Sequence, residues 1–413
     1  MNAEVIAVGS ELLLGQIANT NGQFLSQQLA GVGFNVYRHT VVGDNWERMR
    51  TAFEEASERA DVVFVTGGLG PTQDDLTKEV IAELTEKPLQ YHEETLNNIK
   101  QFFAKRKRPM SANNKKQAHC TEGSHVFYNG AGLACGMADV YKETMFILLP
   151  GPPRELKYMY EHEVQPYLAK KMPQDAVVLS RVLRFFHIGE SRLEKELIDL
   201  IYNQSNPTIA PLASEGEVTI RLTAKAQTAT EANHMLDKTE TLITDKVGHY
   251  LYGKEKDTLP VQVVKAFTND KKTLAAAESL TGGWFGKHIV DVPGASAVFE
   301  GSLTAYSSSA KIKLLNISSQ LIDQYGTVSK ECAEAMAEKA RQQYQTDVGI
   351  SFTGAAGPEA LEGKEPGTVW IGIADQHGVT AHELHLAGSR ESIRRLAVYY
   401  GCWFLLKEKV VNK

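Results

Sequence analysis

Ser279 lies in the stretch AAAESLTGG, residues 275–283. The lead-in Leu274–Ala277 is apolar and short, as a buried parallel strand is. Thr281, Gly282 and Gly283 then open an apolar, helix-like run from Trp284 to Val290. A serine at such a turn has two roles open to it. It caps free N–H groups at the helix start, the commonest use of the residue, or it attacks a ligand that those N–H groups face. Attack requires a base. No GxSxG elbow is present, and nothing in the sequence orients His288 on the following helix. Lys311, in GSLTAYSSSAKIKLL (301–315), is the better base. A lysine desolvated against apolar walls drops toward neutrality and accepts a hydroxyl proton. The N–H groups at Thr281–Gly283 are then the expected oxyanion donors.

Two more positions fall at strand ends. Tyr306 closes an apolar strand, and Thr353 follows the strand Val348–Phe352 and begins a glycine turn containing Gly354 and Gly357. Taken singly, each has a plain reading: a packing tyrosine, an ordinary loop, and for Lys311 a solvated helix lysine. Ligands of open α/β sheets bind outside the carboxyl ends of strands, and Ser279, Tyr306 and Thr353 all belong there. SRESIRR (389–395) places Arg390, Arg394 and Arg395 at the start of the last helix, where a solvated basic face is the default.

A second constellation is VTGGLGPTQDDLTKE, residues 65–79. It reads as a buried strand, a glycine turn with Gly67, Gly68 and Gly70, and a helix starting near Pro71 or Thr72. Asp74 and Asp75 in that first turn complement the helix dipole. The turn also offers N–H groups to an anion, and carboxylates beside an anion let a hard divalent cation bridge to phosphate. GSELLLGQIANTN (9–21) brings Glu11 and Asn21 to the same sheet edge, and LLPGPPRE (148–155) adds a rigid turn. KRKR (105–108) with Lys115 and Lys116 forms a basic patch whose default is a solvated helix end.

These positions need two sheets to hold them. Residues 1–172 alternate strand-like and helix-like segments, which predicts a parallel sheet with helices on both faces. Residues 173–253 read as a small α+β domain, with the alternating strand EVTIRLTAK (217–225) and helices at 190–202 and 230–248. From 254 to 413 the α/β alternation returns, with strands near 273–278, 298–305, 348–352, 367–374 and 379–386 and a last helix over 389–408. The fold class is therefore α/β: two doubly wound domains joined by a small α+β domain. A chain of 413 residues is too long for one core. The net charge of −6 argues against a dedicated nucleic-acid binder. Cys120, Cys135, Cys332 and Cys402 form no CxxC, so free thiols in a reducing compartment are expected. The N-terminus lacks a basic leader and no apolar run approaches a membrane span, which predicts a soluble cytoplasmic protein.

The stretches AESLTGG, GSLTAYSSSAKIKLL, YGTVS, SFTGAAGP and PGTVWIGIA together resemble the C-terminal domain of the CinA (competence/damage-inducible protein A) family. The resemblance implies a nicotinamide-mononucleotide deamidase, with Ser279 as nucleophile assisted by Lys311, Tyr306 and Thr353 and with no cofactor. It places the nucleotide near Thr281, Gly282, Gly283, Gly354, Gly357 and Arg394. PEALEGKEP (358–366) replaces a more glycine-rich family loop. GSELLLG, TGGLGPTQDD, RPMSANNKKQA and LPGPPRE are similar to the family's other half, a molybdopterin-binding-like domain associated with metal-dependent ADP-ribose pyrophosphatase activity. That implies substrate contacts at Gly67, Gly68, Gly70, Thr72 and Asn21. It also implies a divalent cation (magnesium, manganese or cobalt) at Asp75, Asp74, Glu11 and Glu79, with potassium as a further ion. NGAGLACGM (129–137) departs from the family's proline-containing loop. The middle domain resembles the family's KH-like linker, yet 176–250 holds no GXXG loop for RNA. The resemblance further implies a homodimer. Two rivals stay open: a non-catalytic competence or recombination factor, and a molybdopterin-binding protein.

Overall fold

The computed structural model describes residues 1–172, 176–214 and 216–407. The expected boundary at 172/173 and the end of the last helix at 408 fall at or outside those limits. The chain forms two compact units, Met1–Leu179 with Ala224–His234, and Ser180–Thr223 with Met235–Lys413. Among the described residues no helix is long and apolar enough to cross a membrane.

In the first unit a six-stranded sheet runs in the order Asn35–Val42, Asn2–Val8, Val62–Thr66, Thr144–Leu149, Gly136–Tyr141, His125–Phe127. The first four strands are parallel. The last two are antiparallel, which corrects the expected all-parallel sheet. The cause is local: Tyr141 and Thr144 are joined by two residues, with Lys142 in the left-handed region at φ 54°, and so short a link permits only a hairpin. Val62–Thr66 is buried along its whole length, because helices cover both sheet faces. One face packs Phe53, Val80 and Phe146, the other Leu25, Leu156 and Tyr160. The helix expected near Pro71 begins only at Thr77. Gly67 and Gly68 take φ of 100° and 68°, and the Thr77 hydroxyl donates to the Gly67 carbonyl at 2.9 Å. Residues 71–76 are therefore loop, and Asp74 and Asp75 lie outside the helix they were expected to start.

The middle sheet orders its strands Thr208–Ser214, Glu217–Ala226, Val177–Phe186, Leu251–Lys254, with helices over Glu190–Tyr202 and Ala229–Val247.

The five-stranded sheet of the second unit runs Phe299–Thr304, Leu274–Glu278, Val348–Gly354, Thr368–Asp375, Gly378–His385. Its first three strands are parallel and its last two antiparallel. Three alanines fill the middle of Leu274–Glu278, a strand buried throughout, with packed layers above and below. Phe267, Phe285, Phe352 and Cys402 lie in one layer, and Cys332, Met336 and Ala340 in the other. Register does the rest. Glu278 pairs with both Thr304 and Phe352, so residues 279 and 305–306 leave the sheet beside Thr353, which stays within its strand, one residue beyond the expected end at Phe352, and pairs with Trp370.

Candidate active site

The turn after Leu274–Glu278 is built around a buried carboxylate. Glu278 is fully buried and accepts the N–H groups of Gly283 (2.9 Å), Phe285 (3.1 Å) and Gly286 (2.9 Å), donors that the start of the Trp284–Val290 helix leaves without a partner inside the helix. Gly282 and Gly283 adopt φ of 60° and 93°, a region glycine enters without strain. The Ser279 N–H donates to Phe352 O at 2.9 Å, which ties the turn to the neighbouring strand.

Lys311 reaches Ser279 from the Ser308–Leu315 helix, whose start is capped by the Ser307 hydroxyl. Its side chain is 1% exposed. Nζ lies 3.0 Å from Ser279 Oγ, 3.0 Å from Ala305 O and 3.3 Å from Tyr306 O. No carboxylate forms an ion pair with it among the described residues. Burial pushes the amine below the ordinary lysine range, opposed in part by Cys332 and Glu362. Burial also raises the Cys332 thiol to about 11, so that neighbour is neutral at physiological pH.

Ser279 opens onto a cavity of about 580 Å³ whose walls include Leu280, Thr327, Gly354, Gly357, Glu362 and Arg390. Thr353 and Tyr306 also line it, in ways the sequence did not indicate. The Thr353 hydroxyl is committed to Thr327 O at 2.5 Å. The Tyr306 ring is 60% exposed, and it is the Tyr306 carbonyl that meets Lys311 and the Ser279 hydroxyl, the latter at 3.4 Å. The expected oxyanion donors require correction. Gly282 N–H is bound to Ser279 O at 3.1 Å and Gly283 N–H to Glu278, which leaves the N–H groups of Leu280 and Thr281 without hydrogen bonds among the described residues. Thr281 is buried, and its hydroxyl has no partner among the described residues. Arg394 is also not a cavity residue. It donates to Leu280 O (2.8 Å) and Thr281 O (3.0 Å) and lies 4.3 Å over the Trp284 ring, bracing the turn from behind. Arg390 faces the cavity instead, donating to Gly357 O at 2.6 Å and Tyr306 Oη at 3.0 Å.

In the first unit, Glu11, Gly67, Gly68, Gly70, Thr72, Asp74 and Asp75 line one cleft of about 480 Å³. Asp44 joins them and accepts from the Ser10 N–H and hydroxyl at 2.8 and 2.9 Å. Asp75 accepts from the Thr72 N–H (2.8 Å) and hydroxyl (2.5 Å). Glu79 is not with this group; it pairs with Lys116 at 3.2 Å. Asn21 supports the cleft from outside, donating to Thr66 Oγ1 and Gly151 O. Among the described residues no three carboxylate, histidine or cysteine side chains converge to chelate an ion. The donor set fits a hard cation held by one or two carboxylates, with substrate phosphate and water completing its shell.

Glu278, Glu362 and Asp44 were missed by sequence reasoning. Glu278 had a usable signal, a carboxylate directly before a helix start. Glu362 and Asp44 had none, because their partners are remote in sequence.

Comparison with known proteins agrees with this architecture. Residues 4–170 match a molybdopterin binding domain, 180–253 the damage-inducible protein CinA KH domain, and 256–409 the CinA C-terminal domain. A competence-damage inducible protein of Halalkalibacterium halodurans is 52% identical over 98% of this chain and 97% of its own. Its counterpart in Bacillus subtilis is 49% identical over the same shares. A solved structure of the protein CinA from Thermoplasma acidophilum is 33% identical, covers 40% of this chain and 96% of its own, and has a TM-score of 0.37. With three family domains in order and relatives matched nearly end to end, the chain belongs to the CinA family.

Proposed function

We propose that the Ser279 cavity hydrolyses the carboxamide of nicotinamide mononucleotide to the carboxylate, releasing ammonia. The observation that supports this reading is the Lys311 amine, buried without a carboxylate and 3.0 Å from Ser279 Oγ. A neutral amine has two N–H donors and one lone pair. Two carbonyls, Ala305 O and Tyr306 O, take the donors, and the lone pair is left for the Ser279 proton. The hydroxyl oxygen attacks the carboxamide carbon as Lys311 takes that proton. The C–N bond then breaks, and ammonia leaves with the proton from Lys311. Water, deprotonated by the same amine, cleaves the resulting ester, and the proton returns to Ser279. The Leu280 and Thr281 N–H groups are the turn's available oxyanion donors. Arg390 and the helix start at Ser308 suit the nucleotide's phosphate.

For the first unit we propose hydrolysis of ADP-ribose at its pyrophosphate, supported by acidic side chains and a glycine turn on one cleft. A divalent cation there would neutralise phosphate charge and activate water. Asp75 and Asp74 are its expected holders, with Thr72 orienting Asp75.

One experiment tests both. The protein is incubated with nicotinamide mononucleotide and assayed for ammonia, and with ADP-ribose plus magnesium, manganese or cobalt and assayed for AMP. Ammonia and AMP are expected. Absence of both, with the protein folded, favours the non-catalytic competence factor.

A further inference from the structure

The 357–366 loop, where this chain departs from the family's glycine-rich pattern, carries a side chain whose geometry has a use. Leu361 and Lys364 exchange both backbone hydrogen bonds, at 3.0 and 2.9 Å, so Glu362 and Gly363 form a two-residue hairpin tip. Both have positive φ, 54° and 73°, as that turn type demands. Glycine suits its position. Glu362 does not: asparagine, aspartate or glycine is the usual residue there, and a longer side chain at positive φ is strained. The glutamate gains something a turn residue lacks, which is reach. Its carboxylate accepts the Thr327 N–H (2.7 Å), the Thr327 hydroxyl (2.7 Å) and the Val328 N–H (3.2 Å). Gly326 makes room, since a Cβ there would come within 2.5 Å of Glu362 Oε2. Thr327 and Val328 form one wall of the Ser279 cavity and residues 357–362 another. Thr327 in turn accepts the Thr353 hydroxyl.

We propose that Glu362 is a positioning and specificity-determining residue of the Ser279 cavity, its carboxylate clamping the 326–328 turn to the 357–362 loop and so fixing the width that a nucleotide's base meets. The idea rests on the deamidase reading for its kinetic consequences only. Glu362 also acts at a distance on Lys311. The groups facing that amine are the Ser279 hydroxyl, the backbone carbonyls of Ala305 and Tyr306, the Cys332 thiol and the Glu362 carboxylate. Its negative charge favours the ammonium form, so removing it lowers the pH at which Lys311 becomes a base.

The test compares the full-length protein with Glu362→Asn and Glu362→Gln. Asparagine suits the turn but cannot reach Thr327; glutamine reaches but is uncharged. For Glu362→Asn the clamp predicts a melting temperature lowered by only a few degrees, faster amide exchange at Thr327 and Val328, and a KM for nicotinamide mononucleotide raised tenfold or more with kcat changed less than threefold. Both variants should move the acid limb of kcat/KM to lower pH, which a merely structural glutamate would not do. Unchanged KM and unchanged amide exchange in Glu362→Asn overturn the proposal, as does a fall in kcat alone. If the unmodified protein does not hydrolyse the substrate, the deamidase reading fails, and amide exchange at Thr327 and Val328 still decides the clamp.

Discussion

Replacing Ser279 with alanine separates chemistry from architecture. The hydroxyl makes two hydrogen bonds, to Lys311 Nζ at 3.0 Å and to Tyr306 O at a long 3.4 Å. In Ser279→Ala the amine keeps both carbonyl partners, and the turn keeps the Ser279 N–H bond and the three N–H bonds to Glu278. The fold thus loses about one net hydrogen bond, roughly 0.5–1.5 kcal/mol. Spread over a domain of this size, that moves the melting temperature by only a few degrees, about 2–4 °C per kcal/mol. Catalysis loses its nucleophile. Removing the serine of a serine hydrolase costs on the order of 10⁶ in kcat, so ammonia release should fall to background. The assay is ammonia release from nicotinamide mononucleotide, with melting followed on the same sample. A variant within tenfold of the parent would show that Ser279 forms no acyl-enzyme. A melting temperature lowered by tens of degrees would show that the serine is part of the turn's framework.

Asp75→Asn should abolish AMP formation from ADP-ribose while leaving deamidation intact; equal loss of both activities would refute separate sites. Glu278→Gln exchanges an acceptor of three N–H groups for a side chain with one acceptor oxygen. It should destabilise the second unit by about 1.5–3 kcal/mol and lower kcat through a displaced Ser279; urea unfolding unchanged within 0.5 kcal/mol, on the order of a neutral surface substitution, would contradict the role given to that carboxylate.

Strands and the long helices were legible because their periodicity is strong, as in the small-residue run 274–278 and the terminal helix with Ile393 and Ala397 buried. The antiparallel edges were not: GMADVY (136–141) lacks strong alternation, so its two-residue link to Thr144 was not read as a hairpin, and the return of Thr368–Asp375 against Val348–Gly354 depends on pairing between separate segments. The late helix start at Thr77 escaped notice because Pro71 and two aspartates imitate a helix opening, whereas the Thr77–Gly67 hydrogen bond decides it. The site followed the same rule. Ser279, Lys311 and Thr353 stand at strand ends or on the next helix, where topology alone brings them together. Arg394 and Arg390 are equivalent in sequence, and only the direction of each side chain from one helix start assigns the first to the turn and the second to the cavity.

The neutral state of Lys311 is most directly read by NMR titration of its side chain in the intact protein. Burial disfavours the charged amine, so the midpoint should lie clearly below the ordinary 10.5, matched by the acid limb of kcat/KM: activity falls as pH drops through that midpoint and the ammonium forms. Between that midpoint and 10.5 the unfolded chain binds more protons than the folded one, so stability should rise with pH in the same window. A Lys311 amine that stays charged up to 10.5, with deamidation flat across the lower range, would contradict the claim that this lysine is the base.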